Sequence, residues 1–349
     1  GSIHRGSAHH DHKDPPPRRT RAGASPPVLT LVTGAAGFIG SHLCDALLAD
    51  GHEVIGLDSF TDYYDPATKR RNVAAAVAHE RFTLVEGDLL TADLAALLDG
   101  VDVAFHQAGQ PGVRLSWSAF DTYVELNIDA THRLLEAARA AGLPRLVYAS
   151  SSSIYGNSDR YPCVEEQAPQ PFSPYGVTKL AAEHLCGAYA RNFGLSTVAL
   201  RYFTVYGPRQ RPDMAFHRLA AAALGGPPFP LYGDGSAVRD FTYVGDIVAA
   251  NQAAAIADVA PGEVCNVAGG GEALLSDVID LVGQIAGTPV AIDQQPASAG
   301  DVTRTGGSID RAAALLGWAP EVSLREGLAA QVAWHQAEPT AEGPGTTAP

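Results

Sequence analysis

A glycine-rich turn near the start of the sequence restricts the possible folds more than any other segment. The apolar run Val28 to Val32 leads into the spacing GxxGxxG from Gly34 to Gly40, and a helical pattern from Phe38 to Ala49 follows. The first glycine permits a tight turn, Gly37 lets the backbone approach a ligand, and the last glycine lets the helix pack closely on the strand. The helix N-terminus then presents unpaired N–H groups that favour a phosphate. This segment predicts a strand, a pyrophosphate-binding turn and a helix, which together bind a dinucleotide.

Strand and helix patterns alternate in the segments that follow. Apolar runs typical of strands occur at 53–57, 81–85, 101–106, 145–150 and 196–203, and helical patterns occur at 94–98, 121–141 and 175–193. Such alternation predicts a parallel sheet that is covered by helices on both faces. The fold class is therefore α/β, a Rossmann-type doubly wound parallel sheet.

The local composition changes after Tyr206: Gly and Pro cluster at 225–230 and 233–235. This change predicts a smaller C-terminal substrate-binding lobe with helices at 276–287 and 309–316. We divide the chain into a disordered tail (1–26), a dinucleotide-binding domain (27–205), a lobe that is mainly substrate-binding (206–335) and a second disordered tail (336–349). A return to the main sheet is expected near 240–268, with Val264 to Val267 as its strand.

Composition excludes several classes of protein. The net charge is -14 and the pI about 5.2, which argues against nucleic acid as the main partner. No apolar run reaches the ~18 residues of a membrane span, and the first 26 residues lack the apolar segment of a signal peptide. Four cysteines without CxxC spacing favour reduced thiols in the cytoplasm. We predict no metal site, because the cluster His9-His10-Asp11-His12 is more typical of a polar tail than of a metal ligand set.

Two carboxylates follow the next strand patterns. Asp58 ends the second strand, 18 residues after Gly40, where a carboxylate accepts hydrogen bonds from the adenine ribose and repels a 2′-phosphate. This position favours NAD over NADP, although a loop or capping role is the alternative. Asp88, which closes the third strand, is a candidate for contact with the adenine.

A tyrosine and a lysine stand four residues apart in Tyr175-Gly176-Val177-Thr178-Lys179, on one face of a predicted helix. A free phenol has a pKa near ~10, and a nearby ammonium favours the phenolate, so the pair would lower the tyrosine pKa towards neutrality and make it a base. Such a pair is also common on protein surfaces. Lysine is scarce here, however, with only Lys13, Lys69 and Lys179 in the chain.

Together, the glycine turn, the serine run that starts at Ser150 and the Tyr175/Lys179 pair resemble the extended short-chain dehydrogenase/reductase family, over roughly residues 28 to 335. This family contains nucleotide-sugar epimerases and dehydratases. The resemblance implies NAD as cofactor and a catalytic trio of Ser151, Tyr175 and Lys179. It assigns further cofactor contacts to Gly34, Gly37, Phe38, Ile39, Asp58, Asp88, Leu89, Gln107, Ala108 and Tyr202, besides Tyr175 and Lys179. It assigns substrate contacts to Arg114, Ser151, Ser152, Ser153, Thr204, Arg211 and Arg239; for Arg114, Arg211 and Arg239 an ordinary surface role is the alternative.

The residues after Ser151 narrow the reaction. The family's 4,6-dehydratases carry an Asp-Glu pair at the positions of Ser152 and Ser153, and its decarboxylases usually carry a Glu at the position of Ser153. Hydroxyls at both positions make elimination and decarboxylation less favoured, whereas a 4-epimerase needs neither acid. Epimerisation requires one base and a tightly held cofactor that is restored in each cycle.

Three segments look most like UDP-glucuronate 4-epimerases: Asp58 to Pro66, Gly109 to Arg114 and Arg201 to Pro208. UDP-glucose 4-epimerases typically have Asn where Thr204 stands. The expected reaction is therefore the conversion of UDP-glucuronate to UDP-galacturonate through a 4-keto intermediate. A UDP-hexose 4-epimerase, a decarboxylase or dehydratase, and a non-catalytic nucleotide-binding protein are the alternatives. The helix patterns at 121–141 and 175–193 match those that pair two subunits in relatives, which implies a homodimer; burial of these helices within one chain is the alternative.

Overall fold

The structure, a computed structural model, describes residues 27–296 and 302–337. Its strands are β1 Leu29–Thr33, β2 Glu53–Asp58, β3 Phe82–Glu86, β4 Val103–His106, β5 Arg145–Ser151, β6 Thr197–Tyr202, β7 Thr204–Tyr206, β8 Phe229–Tyr232, β9 Val238–Tyr243, β10 Glu263–Val267, β11 Glu272–Leu274 and β12 Ile292–Gln295. Its α-helices are α1 Phe38–Ala49, α2 Pro66–Val77, α3 Leu94–Leu97, α4 Phe120–Tyr123, α5 Ala130–Ala141, α6 Pro174–Phe193, α7 Ala215–Ala223, α8 Val244–Ile256, α9 Leu275–Ala286, α10 Asp310–Leu316 and α11 Leu324–Ala337. The predicted tails and the His9–His12 cluster lie outside the described residues.

Seven strands form one parallel sheet in the order β10-β6-β5-β4-β1-β2-β3. The order reverses direction between β1 and β4, so the loops after these strands diverge and leave a crevice at the carboxyl ends of the strands. The predicted α/β fold with a doubly wound parallel sheet is confirmed. Val264 to Val267 lies in β10, which pairs with β6 at the edge of this sheet.

Each face of the sheet is covered by its own apolar cluster. On one face, α1 and α8 pack with Phe105, Val147 and Val198. On the other face, α5 and α6 pack with Leu31, Leu146 and Ala199. Helices cover both faces, so the strands are apolar on both sides, as their near-continuous hydrophobic runs predict.

A third apolar cluster lies outside the main sheet and contains residues of α7, α9 and α11. Two small sheets belong to this region, one in the order β11-β9-β7 and the other formed by β12 and β8. The helix predicted at 309–316 does not join this lobe. It forms α10, whose Ala312 is fully buried in the cluster of α1 and α8, because α10 packs on β10 and α8.

The single long helix predicted at 121–141 is wrong in its middle. The chain forms α4, then a π-helical segment at Val124–Asp129, then α5. Within the π-helical segment, the Asn127 amide makes hydrogen bonds to the backbone of Gln110 and to the Thr178 hydroxyl. Insertions of this kind are rare and are often found at functional sites. Within the described residues, no helix has the length and apolarity that crossing a membrane requires.

Candidate active site

The glycine turn forms a close-packed junction between β1, α1 and the segment after β4. Gly34 has φ +69°, and a Cβ atom there would lie 2.8 Å from the Ala108 backbone nitrogen. A Cβ atom on Gly40 would collide with the Gly34 carbonyl oxygen. Gly37 is the N-cap of α1 and leaves the first N–H groups of the helix facing the crevice. The turn therefore provides a backbone cradle for an anion.

All of the expected cofactor residues line one cavity above this turn. The cavity runs from the glycine turn along the carboxyl ends of the strands to α6. Its lining includes Gly34, Gly37, Phe38, Ile39, Asp58, Asp88, Leu89, Gln107, Ala108, Tyr175, Lys179 and Tyr202. Residues separated by more than a hundred positions thus meet at the edge of the sheet where parallel α/β folds bind their ligands.

Asp58 is buried at one end of the cavity and is held by the backbone. Its carboxylate accepts hydrogen bonds from the N–H groups of Ala36 at 3.0 Å and Phe60 at 2.8 Å. Lys69, on α2, lies 3.6 Å from the same carboxylate and donates a hydrogen bond to the Thr61 hydroxyl. The end of the cavity therefore carries a carboxylate and an ammonium side by side, and both line it.

Tyr175 lies in the first turn of α6. Pro174 occupies the first helical position, and the hydroxyl of Ser173, the N-cap, accepts a hydrogen bond from the Gly176 N–H. Burial raises the pKa of Tyr175 above its usual value, against the opposing effects of a hydrogen bond to Ser151 and the positive charge of Arg211. The expectation that Lys179 lowers this pKa is not met, because the effect of desolvation is the largest.

Lys179 lies one helical turn further along α6 and is buried. Burial lowers its pKa to about 8, and the negative charge of Glu183 acts in the opposite direction. Its ammonium lies 4.5 Å from the centre of the Tyr148 ring. The lysine therefore loses its proton close to neutral pH, as a buried ammonium does.

The expected substrate residues divide into two groups. Arg211 lines the cavity and makes a two-pronged ion pair with Asp213, at 3.0 and 3.1 Å. The other six do not line this cavity: Arg114, Ser151, Ser152, Ser153, Thr204 and Arg239. Among these, Ser151 is close enough to Tyr175, which lines the cavity, to lower the pKa of its phenol.

Two of the arginines in the second group have partners elsewhere. The Arg114 guanidinium stacks 3.8 Å from the centre of the Tyr232 ring, on β8 of the small lobe. The Arg239 guanidinium donates hydrogen bonds to the carbonyl oxygens of Val238 and Val302. Arg114 thus joins the loop after β4 to the small lobe, whereas Arg239 lies within β9 and bonds to backbone carbonyl groups.

A model of the NAD dependent epimerase/dehydratase family matches residues 30–268. The chain belongs to this family. It is 45% identical over 306 residues to YtcB of Bacillus subtilis (strain 168), named an uncharacterized UDP-glucose epimerase, with 87% of this chain and 96% of that protein covered. It is 36% identical over 327 residues to a probable UDP-glucuronate 4-epimerase of Rhizobium meliloti (strain 1021), with 87% and 96% covered.

A crystal structure of UDP-glucuronic acid 4-epimerase from Bacillus cereus, in complex with UDP-glucuronic acid and NAD, superposes with a TM-score of 0.85. That chain is 42% identical to this one, and the alignment covers 88% of this chain and 99% of that one. Family membership and the geometry of the cavity therefore point to the same class of enzyme.

Sequence reasoning missed several residues of this epimerase/dehydratase site. Lys69, Tyr63 and Gln110 line the cavity, and Asn127 joins Gln110 to α6. The only feature of the sequence that could have marked Lys69 as a site residue is the scarcity of lysine in the chain. No local pattern marks Asn127, because its partners are 17 and 51 positions away. In residues 27–296 and 302–337, no group of three or more His, Cys, Asp or Glu side chains could hold a metal ion.

Proposed function

We propose that this chain is an NAD-dependent UDP-glucuronate 4-epimerase. The observation that carries the proposal is the segment after Ser151, where hydroxyls at Ser152 and Ser153 stand in place of the acids that elimination or decarboxylation would use. The crystal structure from Bacillus cereus, named for this activity, supports it. The product of the proposed reaction is UDP-galacturonate.

The described residues fit NAD. The cradle at Gly34 and Gly37 leaves no room for side chains and offers helix N–H groups to the pyrophosphate. Asp58 would accept hydrogen bonds from the adenine ribose, and Asp88 with Leu89 would hold the adenine. Phe38, Ile39, Gln107, Ala108 and Tyr202 line the path from the pyrophosphate to Tyr175. When bound, NAD accepts the hydride from C4 of the sugar and returns it to the other face.

Three side chains carry the proton chemistry. Tyr175 takes the proton from the 4-hydroxyl and returns it after the 4-keto sugar has turned over in the site. Ser151 holds the phenol through a hydrogen bond that favours the phenolate. Lys179 adds a positive charge one helical turn away. Because burial raises the pKa of Tyr175, the base gains activity as the pH rises.

The substrate residues protect a reactive intermediate. Oxidising C4 of a glucuronate produces a β-keto acid, which loses CO2 when its carboxylate turns perpendicular to the carbonyl group. Hydroxyls at Ser151, Ser152, Ser153 and Thr204 hold the carboxylate in an orientation that prevents this, through charge-assisted hydrogen bonds. Arg114, Arg211 and Arg239 contact the nucleotide diphosphate and its base.

The purified protein incubated with UDP-glucuronate tests this function. Proton NMR resolves the C4 epimers, and we expect UDP-galacturonate to form without added reductant. Release of CO2 or a 4-keto-6-deoxy product would identify a decarboxylase or a dehydratase instead. Absence of UDP-galacturonate would refute the proposal.

A UDP-hexose 4-epimerase is the second candidate, and the name of the Bacillus subtilis relative favours it. The same NMR assay with UDP-glucose separates the two candidates. A larger kcat/KM for UDP-glucose than for UDP-glucuronate would support the second.

The same proposal places the enzyme in the cytoplasm as a homodimer. All four cysteines are buried free thiols, as expected in a reducing compartment. Several large apolar side chains are exposed on or beside α4 and α6: Trp117, Phe120, Val177 and Phe193. A second copy that packs against α4 and α6 would cover exposed apolar side chains of this kind. Sedimentation of the wild type and of Phe193→Glu tests the dimer, which the variant should weaken. We keep 27–205 and 206–335 as the proposed division into domains.

A further inference from the structure

A buried ion pair lies directly beneath the catalytic segment. Glu183 stands on α6, one helical turn after Lys179, and Arg201 stands on β6. Two hydrogen bonds join them: Arg201 Nη2 donates to Glu183 Oε1 at 2.7 Å, and Arg201 Nε donates to Oε2 at 3.0 Å. Both side chains are almost fully buried, at 6% and 4% exposed. Burying two charges is costly, and such a pair adds little to stability compared with apolar residues of similar volume.

Each partner of the pair also holds a part of the segment that carries Ser151. The Ser150 hydroxyl donates a hydrogen bond to Glu183 Oε2 at 2.6 Å. Arg201 Nη1 donates to the Tyr155 hydroxyl at 2.6 Å, at the far end of the turn that begins at Ser152. The run from Ser150 to Tyr155 is therefore attached at both ends to one ion pair. Ser151, between these ends, is close enough to Tyr175 to lower the pKa of its phenol.

The surroundings of Lys179 show a second consequence. The Tyr148 ring on β5 packs against its ammonium, and the charge of Lys179 interacts with Glu183 and Cys186 on its own helix and with His106 on β4. Burial keeps three of them neutral at pH 7. It raises the pKa of Cys186 to about 12, raises that of Tyr148, and lowers that of His106 to about 3. Glu183 is therefore the anion of this group, and it favours the charged form of the lysine.

We propose that the Glu183–Arg201 pair is the positioning element of the active site. Its hydrogen bonds to Ser150 and Tyr155 fix the segment that carries Ser151, and its carboxylate places negative charge one helical turn from Lys179. Neither residue lines the cavity. Both act through Ser151, Tyr175 and Lys179, so this inference rests on the proposed function for its kinetic readout.

The claim that Glu183 favours the charged form of Lys179 can be measured directly, because the chain has only three lysines. Protein labelled with ¹³C at lysine Cε gives three resonances, and Lys179→Arg identifies the one that belongs to Lys179. We expect Glu183→Gln to lower the Lys179 pKa by about 1, since it removes the nearby anion. The control is Glu263→Gln. Glu263 lies on β10, next to β6, and its carboxylate pairs with Arg311. This control should leave the titration of Lys179 unchanged.

Kinetic measurements test the claim that the ion pair fixes the segment carrying Ser151. We expect Glu183→Gln and Ser150→Ala to lower kcat about 10-fold with KM for UDP-glucuronate nearly unchanged, because the catalytic groups are misplaced while the substrate still binds. The alkaline limb of the pH profile should move to lower pH in Glu183→Gln and not in Ser150→Ala. This difference separates the charge of Glu183 from its hydrogen bond.

A variant that removes one buried charge can fail to fold, so the double variant Glu183→Gln/Arg201→Met is included. It removes both charges together, which proteins tolerate better than removal of one. A folded double variant with the kcat, the pH profile and the Lys179 pKa of the wild type would overturn the inference. If the wild type does not convert UDP-glucuronate, the proposed function fails, and the lysine titration still decides whether Glu183 supports Lys179.

Discussion

The two halves of the active-site region are built in different ways. The cofactor half consists of the glycine turn and the strand ends Asp58 and Asp88, and backbone atoms determine much of its shape. The proposed substrate half is assembled from side chains on separate segments, including Arg114, Ser151 to Ser153 and Arg239. A backbone cradle tolerates few substitutions, because most side chains would collide with it. It binds a cofactor that the whole family shares. Side chains on loops change freely, so the substrate half is where related enzymes acquire different sugars.

Tyr175 lies where the two halves meet, and its removal should have the largest effect. We expect Tyr175→Phe to lower kcat about 10³-fold, because Tyr175 is the proposed base that takes the 4-hydroxyl proton. NAD should remain bound, since the ring and its packing are kept. Turnover measured by NMR and NAD content measured after denaturation check both statements.

The matched control for that variant is Tyr189→Phe on the same helix. The Tyr189 hydroxyl donates to Glu136, away from the cavity. We expect turnover close to that of the wild type. Equal losses in the two variants would mean that removal of any hydroxyl from α6 is damaging, and Tyr175 would lose its assigned role.

The backbone cradle predicts the next largest effect. Gly40→Ala places a methyl group against the Gly34 carbonyl oxygen, an overpacking that costs about 1–3 kcal/mol. If the turn moves to relieve the contact, NAD affinity should fall about 10- to 100-fold. Calorimetric titration with NAD and thermal unfolding measure the two effects.

Gly271→Ala is the control for the cradle, because nothing lies within 4 Å of the added methyl group. We expect no change in NAD affinity. An unchanged affinity in Gly40→Ala as well would show that the turn is more tolerant than its packing indicates.

The same contrast explains which features were predictable from the sequence. The turn, α1 and the parallel sheet follow from local rules of glycine spacing and apolar periodicity, and all three formed. Lys69 and Asn127 were missed because their partners are brought to them by tertiary packing. The long helix at 121–141 was predicted without its π-helical segment for the same reason, since that segment contains the Asn127 side chain that bonds to Gln110 and Thr178.

The pKa of Tyr175 could not be predicted from the sequence, for a different reason. Spacing along a helix identifies the lysine as a neighbour, but it does not show how much water the fold removes from the phenol. Burial dominates, and it raises the pKa. Desolvation depends on the whole surrounding structure, so a pair of residues in a sequence does not determine its sign.

A smaller effect is expected at Asp58, at the adenine end of the cofactor half. Asp58→Asn removes the charge and also one of the two oxygens that accept from the Ala36 and Phe60 N–H groups, so we expect NAD affinity to fall about 10-fold. The preference for NAD over NADP should also narrow, because Lys69 remains nearby without its carboxylate partner. Titration with both dinucleotides measures the change, and the exposed Asp62→Asn in the same loop is the control. An unaltered preference in Asp58→Asn would assign the discrimination to another residue.

The smallest effect, and the one that most sharpens the contrast between the halves, is expected at Thr204. Thr204→Val keeps the volume of the side chain and removes its hydroxyl. A hydrogen bond to the substrate carboxylate is worth about 1 kcal/mol, so kcat/KM for UDP-glucuronate should fall about 5-fold. Conversion of UDP-glucose should not change, because it has no carboxylate, and CO2 release from UDP-glucuronate should increase as the 4-keto acid becomes less restrained. An equal fall in kcat/KM for both UDP-sugars, with no additional CO2, would show that Thr204 supports the site without binding the carboxylate. Substrate choice would then depend on the three serines, whose hydroxyls can be removed one at a time in the same assay.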